Sequence, residues 1–150
     1  MLLISHRGNL TGPNKDLENS AEYVKFAILQ GFNVEIDVWW HDNSYFLGHD
    51  LPQWKLDDTT LLTDHRIWCH AKNLAALEKL SLLKEANYFW HQADDFTLTS
   101  KGYFWTYPGK ELTSNSVCVT NEKLLSFNEF SKIKSYAICS DYVQTLRNFI

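Results

Sequence analysis

The chain has 150 residues and a formal net charge of −4, and aromatic residues make up 15% of it. This length and aromatic content predict one globular domain over residues 1–150 with a sizeable core, and they argue against a disordered chain. The acidic balance and the lack of a basic cluster argue against nucleic acid or an anionic membrane surface as the main partner.

The first residues of the chain and its cysteines predict a cytoplasmic protein. The first residues lack the basic segment, longer apolar run and cleavage site of a signal peptide, so we expect them to form a β-strand. No apolar run approaches the roughly 18 residues that would span a bilayer. Cys69, Cys118 and Cys139 are odd in number and sit in apolar runs, which is typical of reduced, buried thiols.

Short apolar or aromatic runs recur along the chain and predict eight β-strands, because each is four to eight residues long and rich in β-branched or aromatic types. Several are apolar nearly throughout, which is typical of a parallel sheet covered on both faces. The predicted strands are 2–6, 33–40, 45–50, 66–72, 87–92, 102–107, 116–120 and 136–141.

Helical spacing of apolar residues appears in four segments between or after these runs. Strands that alternate with helices favour βαβ units and a parallel sheet. The predicted helices are 18–31, 73–86, 121–133 and 141–150.

Two connections, from Asp37 to His49 and from His91 to Trp105, are too short for a full crossover helix. The sequence therefore predicts an α/β fold, a compact, trimmed (β/α)8 TIM-type barrel with several outer helices missing. An open α/β sheet with fewer strands is the structural alternative.

Polar side chains cluster at the C-terminal ends of the predicted strands. In parallel α/β folds this edge is where active sites are built, because loops converge there and helix N-termini point towards it. The residues with this placement are His6, Asp37, His49, His70, His91 and Asp141.

Glu35 and Asp37 lie two residues apart on the second predicted strand, so their side chains leave the same face. Two neighbouring carboxylates resist burial on an apolar strand unless a cation compensates their charge. Hard oxygen ligands suit Mg²⁺ or Ca²⁺, and the pair therefore predicts a divalent metal site.

Four motifs occur in order over the first third of the chain: HRG at 6–8, EN at 18–19, EID at 35–37 and GHD at 48–50. Together they resemble the glycerophosphodiester phosphodiesterase family, which belongs to the phosphatidylinositol-phospholipase-C-like group of barrel phosphodiesterases. The resemblance implies that His6 and His49 form an acid/base pair. It also implies that Glu35 and Asp37 bind the metal and that Arg7 helps to hold the phosphate.

Further along the chain the resemblance implies three more site residues. In the stretch WCHAK, Lys72 stands where the family has a phosphate-facing lysine, and His70 stands where it has a metal-binding acid. An imidazole ligand makes Mn²⁺ or Zn²⁺ credible beside Mg²⁺ or Ca²⁺. Trp105 corresponds to a substrate-facing tryptophan, and Asp141 ends a stretch similar to the family's closing strand.

The expected function is metal-dependent hydrolysis of a small, glycerophosphodiester-like phosphodiester by His/His general acid–base catalysis. One alternative is a catalytically inactive barrel that binds phosphorylated ligands. The other is an unrelated α/β enzyme such as a sugar-phosphate isomerase or an aldolase. Aromatic residues left exposed where helices are missing favour a homodimer.

Overall fold

The structure, a computed structural model, describes residues 1–120 and 127–150. Ten short strands form one curled, mixed sheet. The strands are β1 (Leu2–His6), β2 (Asn33–His41), β3 (Ser44–Leu47), β4 (Trp54–Lys55), β5 (Ile67–Ala71), β6 (Asn87–Trp90), β7 (Phe96–Leu98), β8 (Phe104–Thr106), β9 (Ser116–Thr120) and β10 (Ala137–Ser140). The helices of the described residues are α1 (Ala21–Leu29), α2 (Leu74–Ser81), α3 (Phe127–Phe130) and α4 (Val143–Arg147), with a 3₁₀ turn at Thr59–Thr63.

The centre of the sheet is parallel. Its strands run side by side in the order β6-β5-β2-β1-β10-β9-β8, and every neighbouring pair in this series is parallel. Strands β3, β4 and β7 pair antiparallel with their neighbours. The parallel strands bring their C-terminal ends to one edge, which carries the polar side chains predicted from the sequence.

Strand β3 departs from the predicted barrel because it folds straight back onto β2. The connection is a two-residue turn at Asp42 and Asn43, whose φ angles are 46° and 55°. Two successive positive φ angles are typical of the tight type I′ hairpin turn, for which Asp and Asn are well suited. His41 therefore pairs with Ser44, and β3 is an antiparallel hairpin strand instead of a member of a parallel ring.

The prediction of a trimmed (β/α)8 TIM-type barrel is wrong. The sheet is a curled half-barrel, and within the described residues no strand ladder joins β6 to β7 or β8. Only four short helices accompany it in the same residues, whereas a (β/α)8 barrel closes its ring with eight strand–helix units. The structural alternative, an open sheet with fewer strands, is right that the sheet does not close and wrong in the number of strands, because all eight predicted runs overlap a strand and β4 and β7 add two more.

The helices are shorter than their apolar patterns predicted. Helix α1 begins at Ala21, with the hydroxyl of Ser20 accepting a hydrogen bond from the backbone N–H of Tyr23, because Asn19 has a left-handed φ of 64°. Helix α2 begins at Leu74, after Asn73, whose side chain accepts a hydrogen bond from the backbone N–H of Ala76. Residues 121–126 of the third predicted helix lie outside the described residues, and the last predicted helix contains α4.

Two apolar clusters cover the two faces of the sheet. The larger one lies on the outer face, where the helices pack. The smaller one, which we call the inner core, fills the concave face below the polar edge. It consists of Ile4, Trp68, Phe89, Trp105, Val117, Ala137 and Cys139.

The three cysteines are free thiols. Cys69 and Cys139 are buried, and burial raises the pKa of both. Cys118 is partly exposed. Buried thiols with a raised pKa act as small core residues, because the reactive species is the thiolate.

The longest helix in the described part of the chain has nine residues, and none there has the length and apolarity needed to cross a bilayer.

Candidate active site

Strand register gathers the predicted polar residues on the inner face. In the parallel pairs, His6 stands beside Glu35 and Asp37 stands beside His70. Side chains of paired residues point to the same side of a sheet, and so do residues two apart on one strand. Since Ile4 and Phe89 belong to the inner core, the polar residues form a layer directly above it.

A cavity of about 480 Å³ opens above this layer. It is lined by all but one of the residues that the sequence proposed for catalysis, substrate binding or metal binding; Asp37 lies beneath them, 0% exposed. The lining residues are His6, Arg7, Glu35, His49, His70, Lys72, His91, Gln92, Trp105, Tyr107, Pro108, Val119 and Asp141.

Asp37 is the buried electrostatic centre of the layer. Its Oδ2 lies 2.9 Å from Nε of Arg7 and accepts a hydrogen bond from Nδ2 of Asn19 at 3.0 Å. Its Oδ1 lies 3.2 Å from Nδ1 of His70 and 3.4 Å from Nζ of Lys72. Burial alone would raise the pKa of Asp37, but these cationic neighbours outweigh it and hold the carboxyl well below its usual range.

Glu35 is equally buried but far less well paired. Its Oε2 lies 3.8 Å from Nε2 of His6, and its Oε1 lies 3.7 Å from Nδ1 of His70. Within the described residues, Oε2 is buried and accepts no hydrogen bond. A buried carboxylate oxygen without a partner carries a desolvation cost that a bound cation would remove.

The ring of His70 is held in place by a stacking contact and a hydrogen bond. It stacks on Phe89 with the ring centroids 5.1 Å apart, and its Nε2 donates to the backbone carbonyl of His91 at 2.8 Å. That bond leaves Nδ1 facing Glu35 and Asp37. Burial lowers the pKa of His70, but the two carboxylates outweigh burial and raise it to about 9.

Glu35, Asp37 and His70 fit a divalent cation. Each offers one ligand atom, and these atoms all lie within 4.8 Å of one another. Oε2 of Glu35 is buried without a hydrogen-bond partner among the described residues, whereas Oδ1 of Asp37 faces His70 and Lys72. His70 donates its other ring N–H to a carbonyl, as metal-bound histidines usually do. The two carboxylates alone suit Mg²⁺ or Ca²⁺, and the carboxylates together with the imidazole suit Mn²⁺ or Zn²⁺.

His6 is held at the edge of the same layer by the end of β10. Its Nδ1 lies 2.9 Å from Oδ1 of Asp141, which also accepts a hydrogen bond from Nδ2 of Asn9 at 2.8 Å. Burial lowers the pKa of His6, whereas Asp141 and Glu35 raise it and prevail. Because Nδ1–H donates to Asp141, Nε2 is the nitrogen left for proton transfer.

Arg7 adopts the left-handed region with a φ of 57°, which turns its side chain back over the layer. Its Nε reaches Asp37, and its Nη1 donates to Oε2 of Glu18 at 3.2 Å. The backbone carbonyl of Arg7 also accepts from the N–H of Asn19, so the HRG and EN motifs form one hydrogen-bonded unit.

His49 reaches the cavity from the loop after β3. The backbone N–H of Gly48 donates to the carbonyl of Asp37 at 3.1 Å, and the indole of Trp39 donates to the carbonyl of Gly48 at 2.7 Å. The imidazole of His49 is 44% exposed and pairs with Asp50 at 2.7 Å. These two hydrogen bonds therefore hold the loop against β2, while the His49 side chain stays accessible.

We expect Gly48→Ala to destabilise the protein and to disturb His49. Gly48 has a φ of 152°, and an added Cβ would lie only 2.1 Å from the backbone carbonyl oxygen of Leu51. Such overpacking costs about 1–3 kcal/mol, measurable by thermal or urea denaturation. Gly102→Ala is the matched control, because its φ of 86° is also unfavourable while nothing lies within 4 Å of its Cβ. Equal losses in the two variants would contradict this account.

Trp105 is mainly a core residue that also reaches the cavity. It is 5% exposed, and its ring stacks on Phe89 with the centroids 4.4 Å apart. One part of it lines the cavity floor. Its proposed role in substrate binding is therefore combined with a structural role in the inner core.

Sequence reasoning missed Asn9, which is buried and donates hydrogen bonds both to Asp141 and to Glu18. Asn9 directly follows the HRG motif, so a polar residue beside a charged motif was the available signal. Its partner Asp141 could not be read from the chain, because it is 132 residues away. Asn19 of the EN motif exchanges two hydrogen bonds with Asp37.

Comparisons with models of known protein families, with curated proteins and with solved structures gave no match. The resemblance to the glycerophosphodiester phosphodiesterases therefore rests on the four motifs alone and stays a prediction.

Proposed function

We propose that this protein hydrolyses a small phosphodiester with the help of a divalent cation. The observation that carries the proposal is that carboxylates able to bind a cation and histidines able to transfer protons lie at one cavity. Glu35 presents a buried carboxylate oxygen that lacks a hydrogen-bond partner among the described residues, Asp37 and His70 lie beside it, and His6 and His49 line the cavity above them. Acid–base groups beside a metal site and cationic side chains are the requirements of phosphodiester hydrolysis.

In this proposal Glu35, Asp37 and His70 hold the cation. When bound, it would offset negative charge that develops on the phosphoryl oxygens. Arg7 and Lys72 line the cavity beside these ligands and have N–H groups to spare after pairing with Asp37. They bind the remaining phosphate oxygens.

His6 and His49 move the protons. One accepts the proton of a substrate hydroxyl next to the phosphate as its oxygen bonds to phosphorus. The other donates a proton to the departing alcohol as the second P–O bond breaks. A cyclic phosphate results, and water then opens it while the two histidines exchange roles. Asp141 holds the ring of His6 so that Nε2 faces the cavity side of Glu35.

The test is hydrolysis of a small panel that includes glycerophosphocholine and an activated aryl diester. The purified protein is assayed with Mg²⁺, Ca²⁺, Mn²⁺ or Zn²⁺ and again with a chelator, and products are followed by ³¹P NMR. We expect turnover that requires a divalent ion. Folded protein that binds a divalent ion without turning over any member would instead favour a binding module for phosphorylated ligands.

We expect His49→Ala to lower turnover by about 10²- to 10⁴-fold, the usual contribution of one general acid or base. His41→Ala is the matched control, because His41 is also exposed, at 56%, and also stands next to the aspartate that follows it. Stability should be the same in both variants, since neither side chain is buried. An equal rate for His49→Ala and His41→Ala would remove His49 from the mechanism.

Two further expectations belong to this proposal. Free thiols within the described residues support a reducing, cytoplasmic location.

Exposed apolar side chains on the β7–β8 hairpin support a homodimer, which light scattering would detect. These side chains are Phe96, Leu98 and Phe104.

A further inference from the structure

His91 is the one histidine on the cavity wall to which neither the metal site nor the proton transfers assign a role. It follows β6 directly and is partly buried. Within the described part of the chain, its Nδ1 is shielded from solvent and makes no hydrogen bond. A sheltered imidazole without a protein partner is costly to leave unsatisfied, so its partner is expected to come from a ligand.

The metal cluster does not include this ring. The three ligand atoms that lie within 4.8 Å of one another belong to Glu35, Asp37 and His70. The ring of His91 lies 6.2 Å from the ring of His70, centroid to centroid. His91 contributes only its backbone carbonyl to the metal site. This carbonyl accepts a hydrogen bond from Nε2 of His70, and a substitution of the His91 side chain does not remove it.

The surroundings of His91 fit a polar alcohol. The ring of Tyr107 lies 5.9 Å away and is about half exposed, and Gln92 and Pro108 complete this wall of the cavity. A long acyl chain is opposed by the charged side chains that line the cavity, which are Arg7, Glu35, Lys72 and Asp141. A short alcohol that bears hydroxyl groups can contact the aromatic face with its carbons and hydrogen-bond the imidazole.

We propose that His91 is a specificity-determining residue that hydrogen-bonds a hydroxyl of the alcohol esterified to the phosphate. This inference rests on the proposed function, because it takes the phosphate to lie by Arg7 and Lys72. His91 then selects hydroxylated over plain alkyl groups at that position. Selection of this kind is effective because the substrate without the hydroxyl leaves the imidazole unpaired.

The experiment compares the binding of two phosphate monoesters, glycerol 3-phosphate and propyl phosphate, by calorimetry with the divalent ion present. They share the phosphate and the three-carbon chain and differ only in their hydroxyls. We expect the wild-type protein to prefer glycerol 3-phosphate by about 3- to 10-fold, the value of one net hydrogen bond. His91→Phe should abolish the preference while leaving propyl phosphate binding and divalent-ion binding unchanged, and His41→Phe should keep it.

Histidine ¹⁵N NMR of the wild-type protein provides a reading that does not depend on a folded variant. Glycerol 3-phosphate should shift a ring nitrogen of His91, and propyl phosphate should not. A preference that survives in folded His91→Phe, or the lack of any preference or shift in the wild type, would overturn the inference. If the preference is found but no diester is hydrolysed, the subsite stands and the proposed hydrolysis fails.

Discussion

Replacing His6 by alanine is expected to lower phosphodiester turnover by about 10²- to 10⁴-fold while the protein stays folded. His6 lines the cavity and is oriented by Asp141, so its loss removes one of the two proposed proton-transfer groups. The fold should survive because Asp141 keeps its hydrogen bond from Asn9. The measurement is kcat on the best substrate of the panel, with circular dichroism as the check on folding.

His65→Ala is the control for this variant. The side chain of His65 is 88% exposed and lies outside the cavity, so its replacement should leave kcat unchanged. A folded His6→Ala protein that turns over at the rate of His65→Ala would contradict the assignment of His6.

Asp37→Asn is expected to destabilise the protein by about 3–5 kcal/mol, the usual cost of removing one partner from a buried ion pair. Asp37 is fully buried and faces Arg7, His70 and Lys72. Its neutralisation leaves these cationic groups without their shared carboxylate. Urea denaturation measures the free energy of unfolding, and the experiment is done without divalent ion so that metal binding does not contribute.

Glu35→Gln is the matched comparison, since it also neutralises a buried carboxylate on the same strand. The closest cationic nitrogens to Glu35 are 3.7 and 3.8 Å away, in His70 and His6. Its loss should therefore cost much less stability than the loss of Asp37, while divalent-ion affinity falls. Equal destabilisation by the two substitutions would contradict the view that Asp37 stabilises the fold through its ion pairs while Glu35 does not.

The strands could be predicted because their signal is local. Each apolar run contains a strand, and the cap Asn73 marks the start of α2. The failure of the sheet to close into a barrel could not be predicted, because closure depends on which distant strands pair. One local signal was available: Asp42 and Asn43 are residues that favour a two-residue hairpin turn, and this turn sends β3 back along β2.

Part of the candidate site could be predicted, because side chains alternate along a strand and the sequence therefore shows which residues share a face. Glu35 and Asp37 had to share a face, and a histidine on the neighbouring strand could join them once β2 and β5 paired. The hydrogen bonds that orient the site were out of reach. The carbonyl of His91 and the carboxylate of Asp141 come to His70 and His6 through the curl of the sheet, over separations of 21 and 135 residues.

The most direct test of a metal-dependent site is calorimetric titration of Mg²⁺, Ca²⁺, Mn²⁺ and Zn²⁺ into metal-free wild-type protein and Glu35→Gln. The account predicts one site for at least one of these ions in the wild type. It predicts a loss of affinity of tenfold or more in Glu35→Gln, corresponding to about 1.4 kcal/mol. No divalent-ion binding by folded wild-type protein, or binding unaffected by Glu35→Gln, would contradict it.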